Sequence, residues 1–381
     1  MDDELDVVRA LLPGARVEVI DLLGGSNRSV VRRIHADAHT LIVKQFTGTD
    51  EGWARESAAL SVLPAEVRAP RLVAAGEVPP TVVMSDVGSG ASVADALLGP
   101  DPVAATEAVV AWATAIAGLH RATADLRSTF RDALDARAGD QSIAESMVTA
   151  DLEDAARTLA AHAAELGVDV PADALAELVG LGKRLGGDRA AALTPADACP
   201  DNNVRTADGL VLIDFEGAQW RHVAWDVAYL IVPWPSCWCA WRIPAEVAEQ
   251  AMAAYRVAAG MSDVDAAGLR RDVEAAAVGW AFISTSWFLP RALSDDPPLT
   301  NPSKPAPHRR AMILHRLEQA RRSADLPALA DLAACLHRAL TARWGEVVLP
   351  YAPAFEHAGA RNPTNTVRSD DSEGGSQRAC E

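Results

Sequence analysis

Residues 193–231 read LTPADACPDNNVRTADGLVLIDFEGAQWRHVAWDVAYLI. Asp208-Gly209 is a hairpin-turn signal, with Asn203-Val204-Arg205 on one side and Leu210-Val211-Leu212-Ile213 on the other. Folding that hairpin brings Asn202 and Asp214 together at its open end, because paired strands lie about 4.8 Å apart. An amide oxygen and a carboxylate so placed can share one cation. Hard oxygen ligands with few protein carboxylates suit Mg²⁺, which completes its shell with phosphates and water. Asp197 stands five residues before Asn202, on the loop entering the hairpin. A carboxylate beside such a site can accept a proton from a hydroxyl nucleophile. Taken singly, each is also an ordinary turn residue, since Asp and Asn favour turns. The D-x-x-x-x-N spacing, the hairpin and the following Asp-Phe are specific as a set.

The N-terminal stretch supplies an independent test. Val17–Leu23, Ser29–His35, Thr40–Phe46 and Val82–Ser85 read as strands, and Asp50 can cap a helix that Pro64 stops. One helix is expected in the first 85 or so residues. Lys44 lies inside the apolar run Leu41-Ile42-Val43-Lys44-Gln45-Phe46, where an ammonium is costly to bury unless it is paired. In the helix, Trp53, Glu56, Leu60 and Leu63 fall at helical spacing, which puts the Glu56 carboxylate on the apolar face. A buried cation and a buried anion in adjacent elements are natural partners. An edge lysine and a helix-flank glutamate, each facing water, would show the same letters. Gly24-Gly25-Ser26-Asn27-Arg28-Ser29 fills the turn between the first two strands. Its glycines allow close backbone approach to a phosphate, although any hairpin can contain Gly-Gly.

Asp197, Asn202 and Asp214 together resemble the catalytic and metal triplet of the protein-kinase-like phosphotransferases. More narrowly, with Leu212-Ile213-Asp214-Phe215-Glu216-Gly217-Ala218, the chain resembles the aminoglycoside phosphotransferase and choline kinase superfamily over roughly residues 15–345. The resemblance implies an α+β, bilobal protein-kinase-like fold: an antiparallel-sheet lobe with one helix over residues 1–86, and a larger, mainly helical lobe over 87–350. It implies an ATP-dependent transfer of the γ-phosphate to a hydroxyl of a small molecule, such as an aminoglycoside, an aminosugar or a similar metabolite. Asp197 would be the base and Asn202 and Asp214 would hold Mg²⁺. Lys44, supported by Glu56, would bind the ATP phosphates. Gly25, Ser26 and Asn27 would lie against the nucleotide. Met84 and Asp86 would belong to the lobe-connecting strand whose backbone binds adenine. Asp226 in Trp225-Asp226-Val227-Ala228 matches the aspartate that braces the catalytic loop in those families. The departure is Pro195, at the position where the family usually has a His two residues before the catalytic aspartate. It keeps open an alternative, a nucleotide-binding pseudokinase with a regulatory or assembly role.

Composition sets the outer bounds. The chain has 381 residues, 35 Lys and Arg against 52 Asp and Glu, and a net charge of −17, so a basic nucleic-acid-binding face is not expected. The start, Met1-Asp2-Asp3-Glu4, has no basic segment followed by an apolar one, so a signal peptide is not expected. No run of eighteen apolar residues occurs, so neither is a membrane span. Five cysteines in so large a chain read as structural or incidental thiols in a reducing, cytoplasmic setting. A metal site on Cys237 and Cys239 is the weaker alternative. The expected partner is a small hydroxyl acceptor rather than nucleic acid or membrane. The acidic residues of 132–154 form either a wall for a cationic substrate or a solvated helix face, and the tryptophans of 220–287 are either pocket or core. From about 357 the composition reads as a disordered tail.

Overall fold

The structure is a computed structural model that describes residues 3–25, 28–48, 51–186, 189–294 and 304–356. The expectations for Ser26, Asn27, the Asp50 cap and the tail from about 357 lie outside those residues. In chain order the first elements are α1 (Asp3–Leu11), β1 (Val17–Gly25), β2 (Ser29–Ala36), β3 (His39–Phe46), α2 (Gly52–Val62), β4 (Leu72–Glu77) and β5 (Pro80–Ser85). There follow α3 (Val93–Leu98), α4 (Pro102–Thr123), α5 (Arg127–Ala138), α6 (Val148–Ala163) and α7 (Ala172–Arg184). Then come β6 (Ala191–Thr194), β7 (Asn203–Thr206), β8 (Gly209–Leu212), β9 (Gln219–His222) and α8 (Ala224–Val227). The last are α9 (Ala245–Ala259), α10 (Asp263–Leu293), α11 (Arg309–Ala320) and α12 (Pro327–Trp344). They form two units, one of residues 1–92, 114–146 and 188–223, the other of 93–113, 147–187 and 224–381.

The first unit is built on an antiparallel sheet of order β1-β2-β3-β5-β4. The β-branched residues Val30, Val31, Ile42 and Val43 favour β2 and β3, two of the three inner strands. Asp37 takes the left-handed conformation (φ 54°) that the tight β2–β3 turn needs, one that Asp tolerates better than most residues. Because side chains alternate along a strand, Ile34, Ala36, Leu41, Val43 and Val83 line one face and pack with Val8 of α1. Burying each of the larger ones contributes roughly 1.5–3 kcal/mol. Lys44 projects from the opposite face, and α2 packs against β5 with the Trp53 indole N–H donating to Thr81 O at 3.1 Å. This part of the chain therefore holds two helices rather than the one expected. The extra helix, α1, is admitted at Gly76, where an added Cβ would stand 3.1 Å from the Leu11 side chain. Strand β4, Leu-Val-Ala-Ala-Gly-Glu, and helix α5, with only Phe130 and Leu134 buried, are also absent from the sequence reading. Two short ladders, β6 with β9 and β7 with β8, complete the unit.

The second unit is helical, with the 31-residue α10 as its longest element, capped by the Ser262 hydroxyl accepting from Asp265 N. Its core is aromatic. Trp225 and Tyr229 meet Trp280 edge-on at 5.7 and 5.5 Å, and Trp112 lies 6.5 Å from Tyr229 and 6.1 Å from Trp234. The Trp280 indole N–H donates to Trp225 O at 2.7 Å. Most of the tryptophans are thus core residues, with Trp287 the exposed exception. Among the described residues, one helix, α4, is long and apolar enough to cross a membrane, and 44% of its most apolar window is buried inside the protein. Cys199, Cys237 and Cys335 are in disulfides and Cys239 is a buried free thiol, contrary to the set of thiols expected. An oxidised Cys237 leaves no Cys237–Cys239 thiolate pair for a metal.

Candidate active site

The site lies wholly within the first unit and starts from Lys44. Its Nζ is 2.9 Å from Glu56 Oε2, 2.5 Å from Asp214 Oδ1 and 2.8 Å from Glu216 Oε2. One ammonium from β3 thus gathers a carboxylate from α2 and two from the segment after β8. Burial opposes the lysine's charge, but Glu56, Asp214 and Glu216 together outweigh it and hold its pKa well above the ordinary lysine value. Burial acts the other way on Glu56, pushing it up to about 7 against the pull of Lys44, with Asp214 and Glu216 adding to the rise. One cation cannot neutralise three carboxylates. Glu56 is the most buried of them.

Glu56 also holds the chain that carries the other two acids. Its Oε1 accepts the Phe215 backbone N–H at 3.2 Å, and the Phe215 ring is fully buried. Between the strand end and this anchor, Asp214 adopts a left-handed backbone (φ 64°). Such a conformation costs on the order of 1–3 kcal/mol and persists where the surroundings over-determine it. Arg55, the residue before Glu56, is itself buried. It donates to Ala218 O at 3.1 Å and Ala144 O at 3.0 Å, and pairs with Glu51. Helix α2 is therefore tied to both ends of the Asp214–Ala218 segment.

The β7–β8 hairpin forms with Asn203 opposite Leu212 and Thr206 opposite Gly209, so its two-residue loop is Ala207-Asp208, one position earlier than expected. Gly209 takes φ 124°, which favours glycine. Ile213 N donates to Asn202 O at 3.1 Å, so the open end carries Asn202 beside the strand leading to Asp214. The Asn202 side-chain amide donates to Asp197 O at 2.8 Å and ties the preceding loop to the same end. Asp197 is half-buried, with Cys199 Sγ 3.1 Å from its Oδ1. Ala196, just before it, is left-handed (φ 61°), and its carbonyl accepts from the buried Arg221 guanidinium of β9 at 3.2 Å. Arg221 thus braces the loop from the β9 side, next to Pro195.

Gly25 ends β1, paired with Val30. Met84 is buried in β5, between Ile42 and Leu72. Asp86 follows β5, and its carboxylate is bound by Arg33 at 2.7 and 3.2 Å and by Gly88 N at 2.9 Å. Its side chain holds the connecting segment to the sheet. Three residues of the cluster went unassigned in the sequence. They are Glu216, Arg55 and Arg28, whose Nη2 lies 2.6 Å from Glu216 Oε1. For Glu216 the available signal was its place two residues beyond Asp214. Glu145, in the acidic 132–154 stretch, is paired with Arg127 and Arg131, which hold its pKa down through the Arg131 bond first, so it offers no bare acidic wall.

The donors suit a hard divalent ion. Asn202 contributes an amide, and the partly exposed Asp214 keeps one carboxylate oxygen without a hydrogen bond among the described residues.

The sequence model of the phosphotransferase enzyme family matches residues 18–271. Among solved structures, the chain is similar to a Plasmodium vivax ethanolamine kinase, with TM-score 0.52 and 13% identity over 88% of this chain and 86% of that one. It is likewise similar to a choline kinase from Cryptosporidium parvum, with TM-score 0.52 and 12% identity over 87% of this chain and 99% of that one. These likenesses show the protein-kinase-like α+β fold. No curated protein matches the sequence significantly.

Proposed function

Because the chain belongs to the phosphotransferase enzyme family, we propose that it transfers the γ-phosphoryl group of ATP to a hydroxyl of a small molecule. The observation that carries this reading is the convergence on Lys44 of Glu56 and Asp214, three charges from β3, α2 and the segment after β8. Phosphoryl transfer demands positioning and positive charge more than covalent chemistry. Lys44, aimed by Glu56, would hold phosphate oxygens of ATP. Asp197 would accept the proton of the acceptor hydroxyl as its oxygen bonds to phosphorus and the bond to the leaving ADP oxygen breaks. Asn202 and Asp214 would hold Mg²⁺, which offsets charge on the phosphates when bound. Met84, Asp86 and Gly25 would border the nucleotide, as would Ser26 and Asn27.

Ethanolamine and choline are named for the similar structures, and both are small amino alcohols. We propose that class first as acceptors, with aminosugars and aminoglycosides second. The pseudokinase reading rests on Pro195 alone, and the Arg221 brace on Ala196 offers the loop a support that needs no histidine. The test is ATP turnover with Mg²⁺ over a panel of amino alcohols, aminosugars and aminoglycosides, for the wild type and Asp197→Ala. Phosphorylated product that disappears in Asp197→Ala supports the kinase. Nucleotide binding with no product from any acceptor supports the pseudokinase.

A further inference from the structure

We propose that Arg28 is a phosphate-binding residue of the nucleotide site, and that Glu216 is the counter-ion it holds until nucleotide arrives. The inference rests on the kinase reading above and adds to it a residue pair that reading does not use.

Arg28 immediately precedes β2. Its backbone is fixed, because Arg28 O accepts Thr47 N at 2.8 Å. Its side chain is largely exposed, yet it reaches the segment after β8 and places Nη2 2.6 Å from Glu216 Oε1. The other oxygen of the same carboxylate is 2.8 Å from Lys44 Nζ. Two cations, one from β3 and one just before β2, therefore flank a single anion, each on its own oxygen. A phosphate group offers the same thing in the same place: several anionic oxygens on one centre, able to accept from two donors at once. Guanidinium groups suit that role through planar, paired donors.

Charge count explains why Glu216 yields. Lys44 already faces Glu56 and Asp214, so Glu216 is the third carboxylate around one ammonium. Among the described residues, it is the one of the three that a second cation also holds. A polyphosphate entering the site would repel Glu216 and attract both of its partners. Glu216 is thus a competitor for the two cations, and Arg28 passes from carboxylate to phosphate.

The test is the affinity for ADP and for adenosine, by calorimetry, of the wild type, Arg28→Ala and Glu216→Gln, in EDTA and again with Mg²⁺. Arg28 is exposed, so its truncation leaves the fold intact. Arg28→Ala should weaken ADP binding about tenfold or more, the scale of one charge-assisted hydrogen bond, while adenosine binds as before. In EDTA, Glu216→Gln should tighten ADP binding, because it removes the competing anion and leaves the fold's apolar contacts alone. ADP binding unchanged in Arg28→Ala, or an equal loss for ADP and adenosine, would overturn the assignment of Arg28. Weaker ADP binding by Glu216→Gln in EDTA would overturn the counter-ion role. A wild type that binds neither nucleotide nor nucleoside in either buffer overturns the kinase reading itself, an outcome distinct from the others.

Discussion

Glu56 in α2 accepts the backbone N–H of Phe215, a residue 159 positions further along the chain, while its other oxygen faces Lys44. One buried carboxylate thus locks the lysine and the Asp214 segment to the same helix. Changes at any of these positions should be felt at the others.

Without nucleotide or metal, the protein's stability should depend on pH through Glu56. Glu56 is raised from an ordinary 4.5 to about 7. Its contribution to stability is present below the ordinary value and is lost as pH rises through about 7. Thermal unfolding between pH 4.5 and 7 should therefore show a loss on the order of 3 kcal/mol from this group. Glu56→Gln should flatten that slope. An identical slope in the variant would refute the assignment.

His315 in the second unit should act with the opposite sign. Burial, with Arg242, Arg316 and Arg322, lowers it from 6.5 to about 4. Its contribution is present above the ordinary value and is lost as pH falls through about 4. His315→Gln should be less acid-sensitive than the wild type over pH 6.5 to 4, by up to about 3 kcal/mol, in denaturant titrations at each pH.

Removing the lysine exposes the charge imbalance. Lys44→Met leaves Glu56, Asp214 and Glu216 facing one another around an uncharged side chain. Breaking a buried pair from one side costs about 3–5 kcal/mol. We expect a fall in the urea midpoint that shrinks in Lys44→Met/Glu56→Gln, where the most buried acid is also neutral. ATP turnover should be lost in both variants.

Arg221 should act on turnover rather than on nucleotide affinity. Its guanidinium holds the Ala196 carbonyl at 3.2 Å, next to Asp197 in the chain. Arg221→Lys, which keeps the charge but loses the planar fork, should lower kcat about tenfold, the scale of one lost hydrogen bond to a charged group. KM for ATP should change less than twofold. A rise in KM for ATP with kcat unchanged would place Arg221 with the nucleotide instead.

Local signals determined much of this protein from sequence alone. The β-branched runs placed β2, β3 and β5. Helical spacing placed α2 with Glu56 on its apolar face, and a turn signal placed the hairpin joining Asn202 to Asp214, one residue out of register. Each is decided within about ten neighbouring residues, by side-chain period or turn chemistry. Helices α1 and α5 escaped although both are amphipathic, whereas strand β4, Leu-Val-Ala-Ala-Gly-Glu, has no clean alternation and gains its shape from pairing with β5. Glu216, Arg28, Arg55 and Arg221 escaped for a stricter reason. Their partners lie far away in the chain, and an ion pair or a carbonyl brace exists only where tertiary folding brings two distant charges or dipoles within about 3 Å. Sequence named the lysine and its acids; the folded chain alone decided that a third carboxylate and an arginine join them.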